Sequence, residues 1–461
     1  MVAATAVLVW SSLALAGGVA PAHASADRAA GAGTAATAVD DGWTTTSPES
    51  MGMDSGVLDG ARGYAFEADR HTQGVVVVRG GQVVSEWYAP GEGPQSWAAS
   101  WSMAKSFAST LVGMAIDDGK IPSVDVSMAD YFPEWAGTDK AKITLRDVLH
   151  MESGLQWNED YNPTNIDESD IIQLGISADE LAYASSRPVA FPPGTRWNYS
   201  SGEALLLTKV IEVATGMRAD EYARLKLFGP LGIHQVEWWR DGADHTLTYC
   251  CLDTTSRDFA RYGLLYLRNG SWGGRQVVSQ SWVNDSLTPT ANSDGVYGYQ
   301  WWITSTPGVE GPIYMANGHD GQFIYVIPGL DMVVVRNGDY VKSACEPVAD
   351  PTLFGPYPPS GLAPGRGTTP PGSWSHDDFL APIVASVTGP IPGGDAGQVP
   401  AAEPQPESRN PGGEPMDPCA PPEPPPTTPV PDTSGSGGNP ATSVTPSAGA
   451  TPIAANPSYT G

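Results

Sequence analysis

The sequence predicts an α/β fold of the α+β kind. An antiparallel sheet built from both chain ends is flanked by helices, with a mostly helical region inserted between its halves. Three observations predict it. β-branched runs joined by turn residues occur at 74–88 and again at 322–336. Between them, apolar residues recur at helical spacing and are punctuated by Pro-Gly pairs. The chain of 461 residues is 41% hydrophobic, enough for one large core.

Taken in order, residues 1–24 read as an export signal. An apolar run spans 7–19, and Ala22-His23-Ala24 supplies small residues at a cleavage spacing. No Lys or Arg precedes the run, so a positively charged start would require a true beginning upstream of Met1. The run is short for a membrane span and no second candidate follows. The mature protein is therefore expected to be secreted, extracellular or close to the cell wall, with no membrane span. Residues 25–45 form an Ala, Gly and Thr rich linker, and the domain covers 46–389, with structure starting near Trp43. Residues 74–78, Gly80-Gly81 and 83–88 give a hairpin signal. Residues 102–117 read as a helix, with Met103, Phe107, Leu111 and Met114 on one face. Residues 143–231 look mostly helical, 259–267 is a further helix, and 322–327 with 332–336 form a second hairpin around Pro328-Gly329. A Pro-rich loop at 346–373 precedes a last helix at 377–387. The segment 390–461 holds 19 prolines in 72 residues and reads as a disordered or polyproline tail.

The formal net charge is −27. Phosphate backbones repel such a chain, which argues against nucleic acid and anionic membranes as partners; the bland role of the charge is solubility. Four cysteines, Cys250, Cys251, Cys345 and Cys419, allow three pairings and suggest local staples in an exported protein. There is no His-Glu-x-x-His and no Cys-x-x-Cys, so no metal or other cofactor is expected. The protein is expected to be a monomer.

Three stretches carry chemistry. Ser102-Met103-Ala104-Lys105 opens a helix, where residues three apart share a face, so the lysine can reach the hydroxyl. A helix N-terminus favours negative charge developing on Ser102 or on an oxyanion beside it. Lysine is a base only when neutral, a state that burial or a nearby cation promotes. With seven lysines a chance Ser-x-x-Lys is close to an even bet, and a polar helix face with Ser102 near its cap is the plain alternative. The turn-rich stretch 191–202 delivers Tyr199, Ser200 and Ser201 ahead of a helix at 203–215. A tyrosine there can relay a proton to a leaving group, and a loop with a serine N-cap is the alternative. Gly318-His319-Asp320-Gly321-Gln322 enters the late hairpin. Its glycines would let a ligand approach the backbone, and its N–H groups could serve an oxyanion, unless it is only a tight turn or bulge.

In order, Ser-x-x-Lys, Tyr-Ser-Ser and His-Asp-Gly resemble the three motifs of the class C β-lactamase and D-alanyl carboxypeptidase superfamily of serine hydrolases. Residues 143–149, Ser153-Gly154-Leu155, Gly229-Pro230-Leu231-Gly232 and Tyr297-Gly298-Tyr299-Gln300-Trp301-Trp302 support the resemblance, which covers about residues 46–389. It implies a β-lactamase/transpeptidase-like fold. It also implies roles: Ser102 as nucleophile, Lys105 as base, Tyr199 in proton transfer to the leaving group, and the N–H groups of Ser102 and Gln322 as oxyanion hole, with no metal. Two positions depart from the usual pattern. Ser201 stands where an Asn is usual, and His319-Asp320-Gly321 replaces Lys-Thr-Gly, whose Lys and Thr help bind a β-lactam carboxylate. Both departures resemble the 6-aminohexanoate-dimer hydrolase and esterase branch. There a second Tyr, on a loop after Ser-Gly-Leu, contacts the substrate amide; Tyr161 in Asn158-Glu159-Asp160-Tyr161 is the match. The implied substrate-binding set is Tyr161, Ser201, His319, Asp320 and Gly321. The expected function is hydrolysis of a small-molecule amide or ester through a covalent acyl-enzyme, with a cell-wall peptide as a further candidate. The alternatives are D-alanyl-D-alanine carboxypeptidase or β-lactamase activity, and a non-catalytic acyl-binding sensor domain.

Overall fold

The computed structural model describes residues 42–161, 167–339, 346–347, 362–363 and 372–391. The expected export signal, the tail from residue 392, Cys345, Cys419 and most of the Pro-rich loop lie outside them. The strands that matter here are β1 (Thr72–Arg79), β2 (Gln82–Tyr88), β3 (Trp302–Thr304), β4 (Ile313–Gly318), β5 (Gln322–Ile327) and β6 (Met332–Gly338). They form one antiparallel sheet in the order β2-β1-β6-β5-β4-β3, so the β1–β6 pairing is the seam between the early and late parts of the chain. The first hairpin turns through Gly80 and Gly81, both in the left-handed region at φ 59° and 80°, as a two-residue turn between Arg79 and Gln82 requires.

The sheet is covered on both faces. The principal helices are α1 (Ser55–Ala65), α2 (Ala104–Asp117), α3 (Ser201–Thr215), α4 (Ser256–Leu267) and α5 (His376–Ala385). Val75, Val77, Phe323, Tyr325, Met332 and Val334 share one apolar cluster with Leu58 and Ala61 of α1 and Phe379, Leu380 and Ile383 of α5. Val76, Val78, Ile324, Val326, Val333 and Val335 join the main core with Phe259, Ala260 and Leu264 of α4. Alternate side chains point to opposite faces, and both faces are buried; that is why these strands read as unbroken apolar runs.

The helices differ from the expected ones in informative ways. Residues 102–117 split into a 3₁₀ turn, Trp101–Met103, followed by α2. The apolar face read from Met103, Phe107, Leu111 and Met114 is one sector of a helix buried all round. Its polar residues are matched inside the core: Ser106 donates to the Gln300 carbonyl, and Thr110 meets the hydroxyls of Tyr262 and Tyr266. The inserted region holds the short helices Leu145–Leu149, Asp170–Gly175 and Glu180–Ser186 ahead of α3, which starts at Ser201. The stretches between them, 150–161 and 187–200, are loops, and they carry much of the site. Trp43 is buried and Thr45 bridges Val83, so these residues, expected in the linker, pack with the domain. Cys250 and Cys251 form a disulfide between chain neighbours.

Candidate active site

Short strand pairing fixes the start of the site. Trp97–Ala99 pairs with Leu252–Thr255, and Ser100 extends it: its N–H donates to the Leu252 carbonyl, and its hydroxyl accepts from the Leu252 N–H. Trp101 then adopts a left-handed backbone at φ 43°, unusual for a bulky residue. Such a strained residue costs about 1–3 kcal/mol and persists only where its surroundings hold it. It turns the chain from strand to helix and sets Ser102 at the mouth of α2.

Lys105 follows three residues on, with its side chain 1% exposed. Its Nζ lies 2.8 Å from Ser102 Oγ, 3.0 Å from Ser201 Oγ and 3.0 Å from the Tyr249 carbonyl. The rings of Tyr199 and Tyr249 stand 5.0 Å and 5.7 Å away. Burial lowers the lysine to about 8, while the Glu159 charge pulls the other way. The donors and acceptors fix the lysine's orientation. The Tyr249 carbonyl can only accept. Ser201 Oγ donates to Glu159 Oε1 at 2.5 Å, so towards Lys105 it accepts. A neutral Lys105 thus spends both N–H bonds on these two groups and aims its lone pair at the Ser102 hydroxyl.

Tyr199 precedes α3. Ser200 caps that helix by accepting from the Glu203 N–H at 3.0 Å, as the N-cap alternative expected, while Tyr199 and Ser201 stand beside Lys105. Burial, then the Glu159 charge, raises the Tyr199 phenol far above its ordinary value, with a hydrogen bond to Ser102 acting the other way. Tyr199 stays protonated at neutral pH, with its hydroxyl beside Ser102. Its ring packs against Tyr297, Trp302 and Trp197, an aromatic wall on one side of the site.

The loop segment through Glu159 and Tyr161 packs on Ser201. Tyr161 donates to Glu159 Oε1 at 2.7 Å, and its ring centroid lies 5.2 Å from that of His319. His319, Asp320 and Gly321 form a 3₁₀ turn in which Asp320 is left-handed at φ 56°. His319 Nδ1 pairs with Asp320 Oδ1 at 2.7 Å. The glycines make room for protein groups: a Cβ on Gly318 would lie 2.3 Å from the Ser100 carbonyl, and one on Gly321 1.8 Å from Arg336 Nη1. Arg336, fully buried, supports the turn from below by donating to the carbonyls of Asp320 and Gly321. Gln322, expected to offer its backbone N–H to an oxyanion, opens β5 directly after this turn. Its N–H donates to the His319 carbonyl, and its side-chain oxygen accepts from Asn337 and the Gly338 N–H. The left-handed Asp320 folds the turn back on itself, so both polar ends of Gln322 are used inside the sheet.

The structure thus brings together Ser102, Lys105, Tyr199, Ser201 and Tyr161, with His319 alongside. Sequence reasoning missed Glu159, the Tyr249 carbonyl and Arg336. A surface hollow of about 510 Å³ between Trp135, Lys140 and Ser185-Ser186 shares no residue with this cluster.

The family described as Beta-lactamase matches residues 50–343. Among curated proteins, the chain is 28% identical over 291 residues to a 6-aminohexanoate-dimer hydrolase of Paenarthrobacter ureafaciens, covering 58% of this chain and 72% of that one. It is 30% identical over 290 residues to penicillin-binding protein 4 of Amycolatopsis lactamdurans, covering 53% and 73%. It is 25% identical over 275 residues to a D-aminopeptidase of Cereibacter sphaeroides, of which it spans 49%. Among solved structures, a Bacillus anthracis chain named for 6-aminohexanoate-dimer hydrolase superposes with TM-score 0.54 at 22% identity, covering 64% of this chain and 81% of that one. An octameric penicillin-binding protein homologue from Pyrococcus abyssi gives 0.50 at 20% identity, covering 62% and 74%.

Proposed function

Because the chain belongs to the β-lactamase family and is a serine hydrolase with that family's fold, we propose that it cleaves a small amide or ester through an acyl-enzyme on Ser102. The observation that carries this reading is the buried Lys105 Nζ lying 2.8 Å from Ser102 Oγ, with the Ser201 hydroxyl and the Tyr249 carbonyl as acceptors for its other N–H bonds. In the proposed reaction Ser102 Oγ attacks the carbonyl carbon, and its proton passes to Lys105 Nζ. The tetrahedral oxyanion forms at the α2 N-terminus, where backbone N–H groups including that of Ser102 favour negative charge. The Ser102 N–H is the donor we retain for the oxyanion; Gln322 is a weaker candidate, because its N–H is engaged. The C–N or C–O bond then breaks. The leaving group takes its proton from Tyr199, which is reprotonated from Lys105. Water repeats the sequence on the acyl-enzyme, with Lys105 again accepting the proton and Ser102 released. Tyr161, Ser201, His319, Asp320 and Gly321 line the substrate side in this reading. His319-Asp320 in place of Lys-Thr removes a fixed cation for a β-lactam carboxylate, so penicillin-type substrates should be poor. The apolar run and Ala22-His23-Ala24 support an exported enzyme working outside the cell.

A D-peptidase is the second reading, favoured by the relatives named D-aminopeptidase and penicillin-binding protein. The test is a panel of p-nitrophenyl butyrate, linear amides, D-Ala-D-Ala peptides and nitrocefin, each with burst analysis. We expect turnover of the ester and of linear amides, slow nitrocefin hydrolysis, and loss of all turnover in Ser102→Ala with unchanged melting. Preference for the D-peptide would select the second reading. Ester turnover retained by Ser102→Ala would remove the nucleophile, and a burst without release would mark an acyl-binding sensor.

A further inference from the structure

The Glu159 carboxylate is tied to four donors. Oε1 accepts from Ser201 Oγ at 2.5 Å and Tyr161 Oη at 2.7 Å; Oε2 accepts from the Ser201 N–H at 2.9 Å and from the Trp157 indole. The Ser201 N–H belongs to the first turn of α3, so the negative group also sits at a helix N-terminus. Ser201 is the bridge: its hydroxyl accepts from Lys105 and donates to Glu159. We propose that Glu159 is the positioning residue and counter-charge of Lys105, acting through Ser201. This rests on the reading of Lys105 as base.

When Ser102 gives its proton to Lys105, an ammonium forms at a position almost closed to water. Burial opposes that charge, and a carboxylate one hydroxyl away offsets it without blocking the lone pair beforehand. The bridge also fixes geometry: a Ser201 hydroxyl committed to Glu159 cannot donate to Lys105, so the lysine's lone pair is left for Ser102. The other groups facing the pair are Ser102, the Tyr249 carbonyl and ring, and the phenols of Tyr161, Tyr199 and Tyr297. Burial raises all three of those phenols, so they stay neutral through the working range. His319, paired with Asp320 and facing Tyr161, and Glu203 of α3, whose carboxyl burial raises to about 8, are the other titratable groups nearby, and only a limb that moves on replacing Glu159 belongs to the Lys105 pair.

The test is the pH profile of kcat/KM for p-nitrophenyl butyrate, from pH 5.5 to 9.5, in full-length enzyme. The wild type should show a Lys105 limb near pH 8. Glu159→Gln keeps the shape and removes the charge. Losing the charge disfavours the ammonium, so the limb should move to lower pH by about one to two units. The plateau should fall roughly ten- to a hundredfold, as expected when a hydrogen-bonded charge partner is lost. Glu159→Asp withdraws the carboxylate by one methylene and should give a smaller downward shift. His319→Gln should leave the limb in place. A limb unmoved in whichever of the Gln and Asp variants is soluble overturns the proposal, because a merely structural loss lowers the plateau and leaves the midpoint alone. A Lys105→Ala enzyme that stayed active would fail differently, removing the base assignment itself.

Discussion

Replacing Gly202 by alanine sets helix propensity against packing, and the structure decides the sign. Gly202 is the second residue of α3, and alanine in a helix is better than glycine by up to about 1 kcal/mol. Its Cβ, however, would lie 2.4 Å from Trp157 Cζ3 and within 3 Å of two more indole carbons. Trp157 has little freedom to yield. It is 9% exposed, its indole N–H is bonded to Glu159, and its carbonyl accepts from Asn198 at 3.1 Å. Overpacking of this kind costs typically about 1–3 kcal/mol, so a net loss of roughly 1–2 kcal/mol is expected. The push travels through Trp157 to Glu159 and Ser201, so kcat/KM should fall by at least about tenfold, since small misplacements in a site are costly. Gly63→Ala is the control. Gly63 is exposed in α1, nothing lies within 4 Å of its Cβ, and α1 covers the sheet face that carries the second apolar cluster. It should stabilise by roughly 0.5–1 kcal/mol with unchanged activity. Urea midpoints at constant m, with ester kinetics on both variants, read the two effects. A Gly202→Ala enzyme as stable and active as wild type would refute the close packing of Trp157 on α3.

With Lys105 near 8, about a tenth of the enzyme holds it neutral at pH 7 and about nine-tenths at pH 9, so kcat/KM for the ester should rise roughly tenfold between them. Lys105→Arg, which keeps the charge but cannot give up its proton, should be inactive at every pH; a near-normal rate would make the lysine's role electrostatic only. Ending the chain after residue 391 should leave melting and activity unchanged. Ending it after 372 removes α5 and uncovers the sheet under Phe379, Leu380 and Ile383, which should cost at least about 3 kcal/mol. The cut belongs at 391 because Thr388 donates to the Gly52 carbonyl, Arg79 donates to the Gly389 carbonyl, and Ile391 packs on the second cluster.

What was legible in the sequence is what is local. The β-branched runs at 75–78 and 333–335 signal strands whatever lies on either side. Ser102 and Lys105 meet because three residues of helix bring them together, and Tyr199-Ser200-Ser201 is readable because a serine cap announces α3. Glu159 was not readable in the same way: its partner Ser201 is 42 residues away and is reached only when two loops close on each other. Its sole local sign was the Trp157-x-Glu159-x-Tyr161 alternation, which puts three polar tips on one side of an extended segment. The glycines of Gly318-His319-Asp320-Gly321 read as openings for a ligand, and sequence could not say that the Ser100 carbonyl and the Arg336 guanidinium come close to them. Arg336 did leave a mark. It shares the strand parity of Met332 and Val334, an inward position where a charge is unusual unless polar groups await it.

The same contrast bears on the proposed role of Lys105 as base. A surface Ser-x-x-Lys would hold its lysine charged and without a lone pair. The motif becomes chemistry only when α2 is enclosed on every side, so that desolvation brings Lys105 near neutrality while two fixed acceptors occupy its N–H bonds. That enclosure is the work of residues far from the motif: the Leu252–Thr255 strand that pins Ser100, the Tyr249 carbonyl, and α3 with its carboxylate clamp. A change that lets water reach Lys105 should therefore act like a loss of the base even with the motif intact. It would do so by moving the kinetic limb upward towards the ordinary lysine value, the opposite direction from removal of Glu159.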